Sequence, residues 1–244
     1  PANQTWRFAF GTTEPSGGIP EMAQAARTMW GLEWTIADFP DENWSEGPGG
    51  IGYGDGDDAT DVYDPMFSKA ISLYQRRRFV VDEATAASTN ILEFQVDFDD
   101  GFVAYLNGVE IARSNLGSVG TVVPYNMPAT RSREAGTPVT YTLGMASNLL
   151  VAGTNVLAIQ THNTSTTSSD LSMIPFLRFQ GGATLVAAGD LWRYFIGVRS
   201  PLASGDDEEG EDGELSTLEP DFADWIELYN DSASPVSLAG WSLT

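Results

Sequence analysis

Hydrophobic and polar positions alternate through Ile91–Phe98 (ILEFQVDF). Leu92, Phe94, Val96 and Phe98 fall on one side, and Glu93, Gln95 and Asp97 on the other. A period of two is that of a strand with one buried and one wet face. Phe102–Leu106 and Val109–Ala112 read as two more strands, separated only by Asn107-Gly108. That pair tolerates the positive φ of a type I′ hairpin turn. Asp99-Asp100-Gly101 punctuates the chain one strand earlier, so Asp99–Arg113 (DDGFVAYLNGVEIAR) reads as turn, strand, tight hairpin, strand. Thr5–Phe10, Ser72–Val81, Val139–Leu143, Asn155–Thr161 and Leu171–Phe179 are further strands by the same criteria. Helical signal is confined to Pro20–Trp30 (PEMAQAARTMW). Many short strands with turn residues between them predict an all-β antiparallel sandwich.

Composition narrows the setting. The chain has 244 residues, 42% of them hydrophobic and 11% aromatic, enough for one large sheet-rich domain and part of another. No apolar run approaches the roughly 20 residues of a membrane helix. Pro1 opens the chain without a basic–apolar–small leader, which predicts a mature or excised piece of a longer protein. Cysteine is absent, which removes disulfides and thiolate metal sites. The formal net charge is −22, from 34 acids against 12 bases, of which Lys69 is the one lysine. Such a chain is expected to avoid nucleic acid and anionic membrane. It suits a secreted or cell-surface setting, where carboxylates hold cations or water. Half of the net charge falls in residues 183–244, and Asp206–Glu214 (DDEEGEDGE) contains no base. That run predicts a solvated loop, within a loop spanning 204–221.

Two distant stretches share a pattern. Trp6–Gly11 (WRFAFG) and Trp192–Gly197 (WRYFIG) both read Trp-Arg-aromatic-x-apolar-Gly. The repeat places a boundary near Gly182, giving one domain over 1–182 and a second over 183–244 that opens with a similar strand.

Five motifs follow one another: Asp41–Gly56 (DENWSEGPGGIGYGDG), Tyr74–Val81 (YQRRRFVV), Asp99–Asn115, Leu149–Asn163 (LLVAGTNVLAIQTHN) and Ser168–Ser172 (SSDLS). Together they resemble the galactose-binding-like jelly-roll modules of large secreted bacterial proteins, over roughly residues 5–180. The resemblance implies a jelly-roll β-sandwich, of the kind that often holds a structural calcium. Asp224–Thr244 (DWIELYNDSASPVSLAGWSLT) resembles the opening of a lamin-tail domain. That implies a second, immunoglobulin-like β domain present only in part, with the acidic run inserted after its first strand near Trp192–Val198.

Candidate chemistry is sparse. A nucleophilic triad needs a nucleophile, a base and an orienting group. His162 is the single histidine, with Ser168, Ser169 and Asp170 nearby in sequence but no G-x-S-x-G elbow. Asp97, Asp99, Asp100 and Glu110 are of the type a glycosidase pairs. Turn and hairpin geometry accounts for Asp99, Asp100 and Glu110 without chemistry. Gly52–Asp61 (GYGDGDDATD) packs Asp55, Asp57, Asp58 and Asp61 among glycines. A hard cation takes six to eight oxygens from such a flexible loop, so these four are the candidate calcium ligands. Sugar binding wants exposed aromatics; Trp30, Trp34, Trp44, Tyr53 and Tyr63 lie in loop-rich sequence, and Trp30 and Trp34 are the best placed.

The expectation is a non-catalytic extracellular module of a larger secreted or surface protein, acting in glycan binding, adhesion or array formation. Its partners would be glycan or neighbouring copies, not nucleic acid. The alternative is an accessory carbohydrate-binding domain of a polysaccharide-degrading enzyme whose catalytic domain lies outside this chain.

Overall fold

Residues that alternate in sequence alternate between two environments in space. The computed structural model describes residues 31–201 in full, together with the backbone of Trp6–Arg7 and Tyr229–Asn230. The chain divides into two units, one of Pro1–Ala26 with Asp206–Thr244 and one of Arg27–Gly205. In the first, β1 (Trp6–Arg7) pairs antiparallel with a strand at Tyr229–Asn230. Trp30, the Pro20–Trp30 helix, the acidic run Asp206–Glu214, the 204–221 loop and most of the lamin-tail-like stretch lie outside the described residues.

In the second unit the strands are β2 (Ser45–Pro48), β3 (Ile51–Gly52), β4 (Thr60–Asp61), β5 (Ser72–Val81), β6 (Ile91–Asp99) and β7 (Gly101–Leu106). They continue as β8 (Val109–Ser114), β9 (Val139–Met145), β10 (Gly153–His162), β11 (Ser172–Phe179), β12 (Thr184–Val186) and β13 (Leu191–Ile196). One sheet has six strands in the order β2-β13-β5-β10-β7-β8; the other has four, β12-β11-β6-β9. The unit is an all-β sandwich. Leu92, Phe94, Val96 and Phe98 of β6 pack into the core between the sheets with Phe102, Ala104, Leu106, Leu157 and Ile159 of the six-stranded sheet.

The six-stranded sheet is also covered on its outer face. Val103 and Tyr105 of β7 and Ala158 of β10 join Leu32, Trp34, Trp44, Leu116 and Val123 in a second apolar cluster. That explains why every residue of β7 is buried. Two connecting segments supply this cover, and the sheet's polar side chains grip their carbonyls. Arg76 donates to Trp34 O and, at 3.0 Å, to Ile36 O. Arg78 donates to Ala37 O at 2.9 Å, Ser72 to Tyr125 O at 2.6 Å and Gln160 to Val123 O at 3.1 Å. Arg76 and Asp41 form a fully enclosed ion pair at 2.7 Å.

The Asn107-Gly108 turn forms as its residues dictate, with φ of 52° and 81° between β7 and β8. The Asn107 side chain adds what the turn alone does not require. Its Nδ2 donates to Leu149 O and Asn155 Oδ1, and its Oδ1 accepts from Val156 N. The hairpin is thereby tied to the entry of β10.

Two expectations change. The strand expected to open the second domain, Trp192–Val198, runs instead inside the six-stranded sheet as β13, between β2 and β5. Trp192 is wholly buried in the sandwich core, so residues 183–201 belong with the sandwich. A Trp-Arg strand marks a core-facing alternation, and that alternation fits an inner strand of a first sheet as well as the start of a new one. Trp34, expected as an exposed sugar platform, is 2% exposed. It meets Tyr74 and Tyr105 edge-on at 5.0 and 5.7 Å, because the sheet's outer face needs an apolar cover.

Removing one partner of an enclosed ion pair leaves an uncompensated charge, at a cost of about 3–5 kcal/mol. Asp41→Ala is expected to lower the free energy of unfolding by that amount in urea titration. A loss below about 1 kcal/mol would show that the carbonyls around Arg76 suffice without the carboxylate.

Candidate functional site

The Asp-Asp-Gly turn joins β6 to β7, and its two carboxylates have opposite fates. Asp100 is fully engaged. Its Oδ1 accepts from Arg133 N at 2.9 Å, and its Oδ2 accepts from Thr164 N and Thr164 Oγ1 at 2.8 and 2.9 Å. It fastens two loops to the end of the sandwich. Asp97 takes Gly136 N at 2.8 Å and Arg133 at 3.4 Å, and Glu110 pairs with Arg113 at 3.0 Å. These three acids are scaffold.

Asp99 is different. It is 1% exposed, and its Oδ1 is buried with no hydrogen-bond partner among the described residues. Carboxylate oxygens of Asp99, Glu134 and Asp170 all lie within 4.8 Å of one another. Burial foremost, then the negative charges of Asp100, Asp170 and Glu134, push the Asp99 carboxyl up to about 8. The buried Asp99 oxygen thus lies with the half-buried Asp170 and the exposed Glu134, a group of hard oxygen donors of the type divalent cations take.

The glycine-rich loop reaches the same place. Tyr53 pairs with Leu171 through reciprocal backbone hydrogen bonds of 2.8 and 2.9 Å. The approach needs glycine, since a Cβ on Gly52 would lie 1.9 Å from Leu171 O. The pairing sets the loop acids beside Asp170. Asp57 and Asp58 accept from Ser172 Oγ at 3.4 and 3.2 Å. Asp58 is pushed up to about 7, by burial first and then by Asp57. Asp55 is also raised, by burial first and then by Asp170 and Asp57. Asp61 is occupied otherwise, accepting from Tyr63 N at 2.8 Å.

Of the four acids expected to hold calcium, Asp55, Asp57 and Asp58 therefore border the cluster, and Asp61 caps a turn. The acids brought within reach of one ion are Asp99, Glu134 and Asp170. Asp170 carries a faint sequence signal, an acid just ahead of a strand, whereas Glu134 lies in a polar loop with none. His162 faces away from this chemistry. Its Nδ1 meets Met127 O at 2.6 Å, its Nε2 has no partner among the described residues, and burial pulls it down to about 4.

No family model matches the chain, and no curated protein matches it. Among solved structures it is similar in part to an α-L-rhamnosidase from Streptomyces avermitilis, complexed with L-rhamnose (17% identity, 56% of this chain and 12% of that one, TM-score 0.34). It is also similar in part to a β-D-mannosidase from Dictyoglomus thermophilum (17% identity, 36% and 8%, TM-score 0.25). A third is an α-L-rhamnosidase from Aspergillus terreus (14% identity, 65% and 17%, TM-score 0.34). The chain spans less than a fifth of each of these enzymes.

A carboxyl raised from 3.8 to about 8 on folding stays protonated in the native state while the unfolded chain ionises. Its contribution to stability is full below the unfolded value and is lost as pH rises through about 8. Asp58, raised to about 7, acts with the same sign. With divalent cations chelated, the thermal midpoint is expected to be higher at pH of about 5.5 than at about 8.5. Asp99→Asn is expected to flatten that profile; a slope unchanged in the variant would remove Asp99 as its source.

Proposed function

We propose that the Arg27–Gly205 unit is a galactose-binding-like jelly-roll module, that it holds a calcium ion, and that it serves carbohydrate engagement within a larger secreted or surface protein. The observation that supports it is the buried, unpartnered Asp99 oxygen gathered with Glu134 and Asp170. The donor set fits the ion: all are hard oxygens, and nearby loop carboxylates and backbone carbonyls can complete a sphere of six to eight. Calcium would relieve the mutual repulsion of the three acids and tie the Asp-Asp-Gly turn to the loops carrying Glu134 and Asp170.

The non-catalytic reading draws on His162. A buried imidazole with a low pKa, bonded to a backbone carbonyl, is poorly suited to act as a base at neutral pH. No helix among the described residues is long and apolar enough to cross a membrane. The accessory role beside a polysaccharide-degrading domain is compatible with the same module, since both roles deliver a scaffold to sugar.

Calcium at a hundredfold excess over its Kd is expected to stabilise the protein by about 2.7 kcal/mol. The measurement is thermal and urea unfolding with EGTA or millimolar calcium. The double variant Asp99→Asn with Asp170→Asn should lose the shift, and Asp55→Asn with Asp57→Asn should keep most of it. An unchanged midpoint in the unaltered protein rejects the calcium site. Retention of the shift by the Asp99/Asp170 variant moves the ion to the glycine-rich loop.

A further inference from the structure

We propose that the place of β13 between β2 and β5 is a strand-docking slot, and that Trp6–Gly11 of the same chain fills it in exchange with Trp192–Gly197. The two segments share one pattern, Trp-Arg-aromatic-x-apolar-Gly, and the slot reads that pattern position by position. Leu191–Tyr194 pairs with Ser45–Pro48 of β2, and Arg193–Ile196 with Leu73–Arg76 of β5. Both ladders are short beside the one that joins β5 to β10 along the whole of Ser72–Val81.

The first and last positions of the pattern are those the slot demands. Trp192 is wholly buried in the core, and a Cβ on Gly49 would lie 2.6 Å from its Nε1, so the chain beside it is shaped to an indole. At the other end, a Cβ on Gly197 would lie 1.8 Å from Ser72 Oγ. Ser72 is held in place, since its Oγ donates to Tyr125 O at 2.6 Å and its carbonyl accepts from Gly197 N at 2.8 Å. The sixth position must therefore be glycine, which Gly11 supplies, as Trp6 supplies the indole. Between these ends, Tyr194 and Ile196 pack on the core, and Phe8 and Phe10 are the matching apolar residues. Arg193 meets Glu46 at 3.5 Å and Trp44 O at 3.4 Å. Contacts this long and this exposed contribute little, and Arg7 can remake them.

The fourth position decides which segment is docked. Phe195 packs against Trp44 and Tyr74 at 5.6 and 6.2 Å on the outer face of the sheet, where Trp6–Gly11 offers Ala9. That ring contact favours β13. The exchange conserves pairing elsewhere: Trp6-Arg7 pairs with Tyr229–Asn230, a short ladder that Trp192-Arg193 can take over. Two arrangements of one chain that make equivalent pairs differ little in free energy. A second copy is the poorer occupant, because a net charge of −22 keeps copies apart and a tethered segment has the higher effective concentration. The slot thereby sets whether residues 187–201 close the sandwich or are free to pair with another strand.

The chain has no cysteine, so engineered pairs report each arrangement cleanly. Arg193 lies opposite Glu46 across β13 and β2, and facing strand positions suit a disulfide, which needs Cα atoms about 4.4–6.8 Å apart. Glu46→Cys with Arg193→Cys therefore reports β13 in the slot, and Glu46→Cys with Arg7→Cys reports Trp6–Gly11 there. In a glutathione redox buffer both pairs are expected to form a disulfide within one chain, read by mass spectrometry of the full chain. Glu46→Cys with Thr13→Cys, on the same tether but out of register, should form its bond about tenfold more slowly than the Arg7 pair. Gly11→Val should abolish the Arg7 crosslink and leave the Arg193 crosslink intact, and Ala9→Phe should increase the Arg7 crosslink. The exchange is refuted if the Arg7 pair forms no faster than the Thr13 pair, or if Gly11→Val leaves the Arg7 crosslink unchanged. Disulfide-linked dimers in place of the within-chain bond would overturn the same-chain occupant.

Discussion

Covering the six-stranded sheet on both faces is the constraint from which the rest of this sandwich follows. In a strand buried on two sides a polar side chain left unpaired is costly, since the lost hydration is returned only by a hydrogen bond. The polar residues that face outward are therefore matched to backbone carbonyls of the covering segments: Ser72 to Tyr125, Arg76 to Ile36, Gln160 to Val123. The segments that would otherwise be loops are fixed by this matching. Trp34 and Trp44 become core for the same reason.

The fixed segments in turn shape two places in the unit. At one, the covering segment 34–41 brings Asp41 onto Arg76. At the other, Asp100 takes the backbone of Arg133 and Thr164, and its neighbour Asp99 is left facing Glu134 and Asp170. One acid of the Asp-Asp-Gly turn builds the frame, and the other is exposed to its consequences. Six carboxylates of this region, Asp55, Asp57, Asp58, Asp99, Glu134 and Asp170, come from four separate segments. Burial first, and then their acidic neighbours, raise the Asp58 and Asp99 carboxyls.

Much of the scaffold was legible from the chain alone. Period-two alternation located β6, and strand-like runs located β5, β7, β10 and β11, because each contributes apolar residues to a core. Asn107-Gly108 set its own turn, because few other residue pairs accept two positive φ values. Local backbone preference and burial of one face are properties of short segments, so a short segment suffices to read them.

The assembly of the sites was decided only by the tertiary structure. Glu134 has no local signature, and it meets Asp99 because Asp100 captures the backbone beside it. Asp61 looks like its loop neighbours in sequence, yet it spends its carboxylate on Tyr63 N. Trp192-Arg193 repeats the pattern of Trp6-Arg7, and only strand pairing shows that it completes the sandwich sheet. Each outcome depends on which distant backbone arrives alongside, a matter of long-range pairing that the residue itself does not encode.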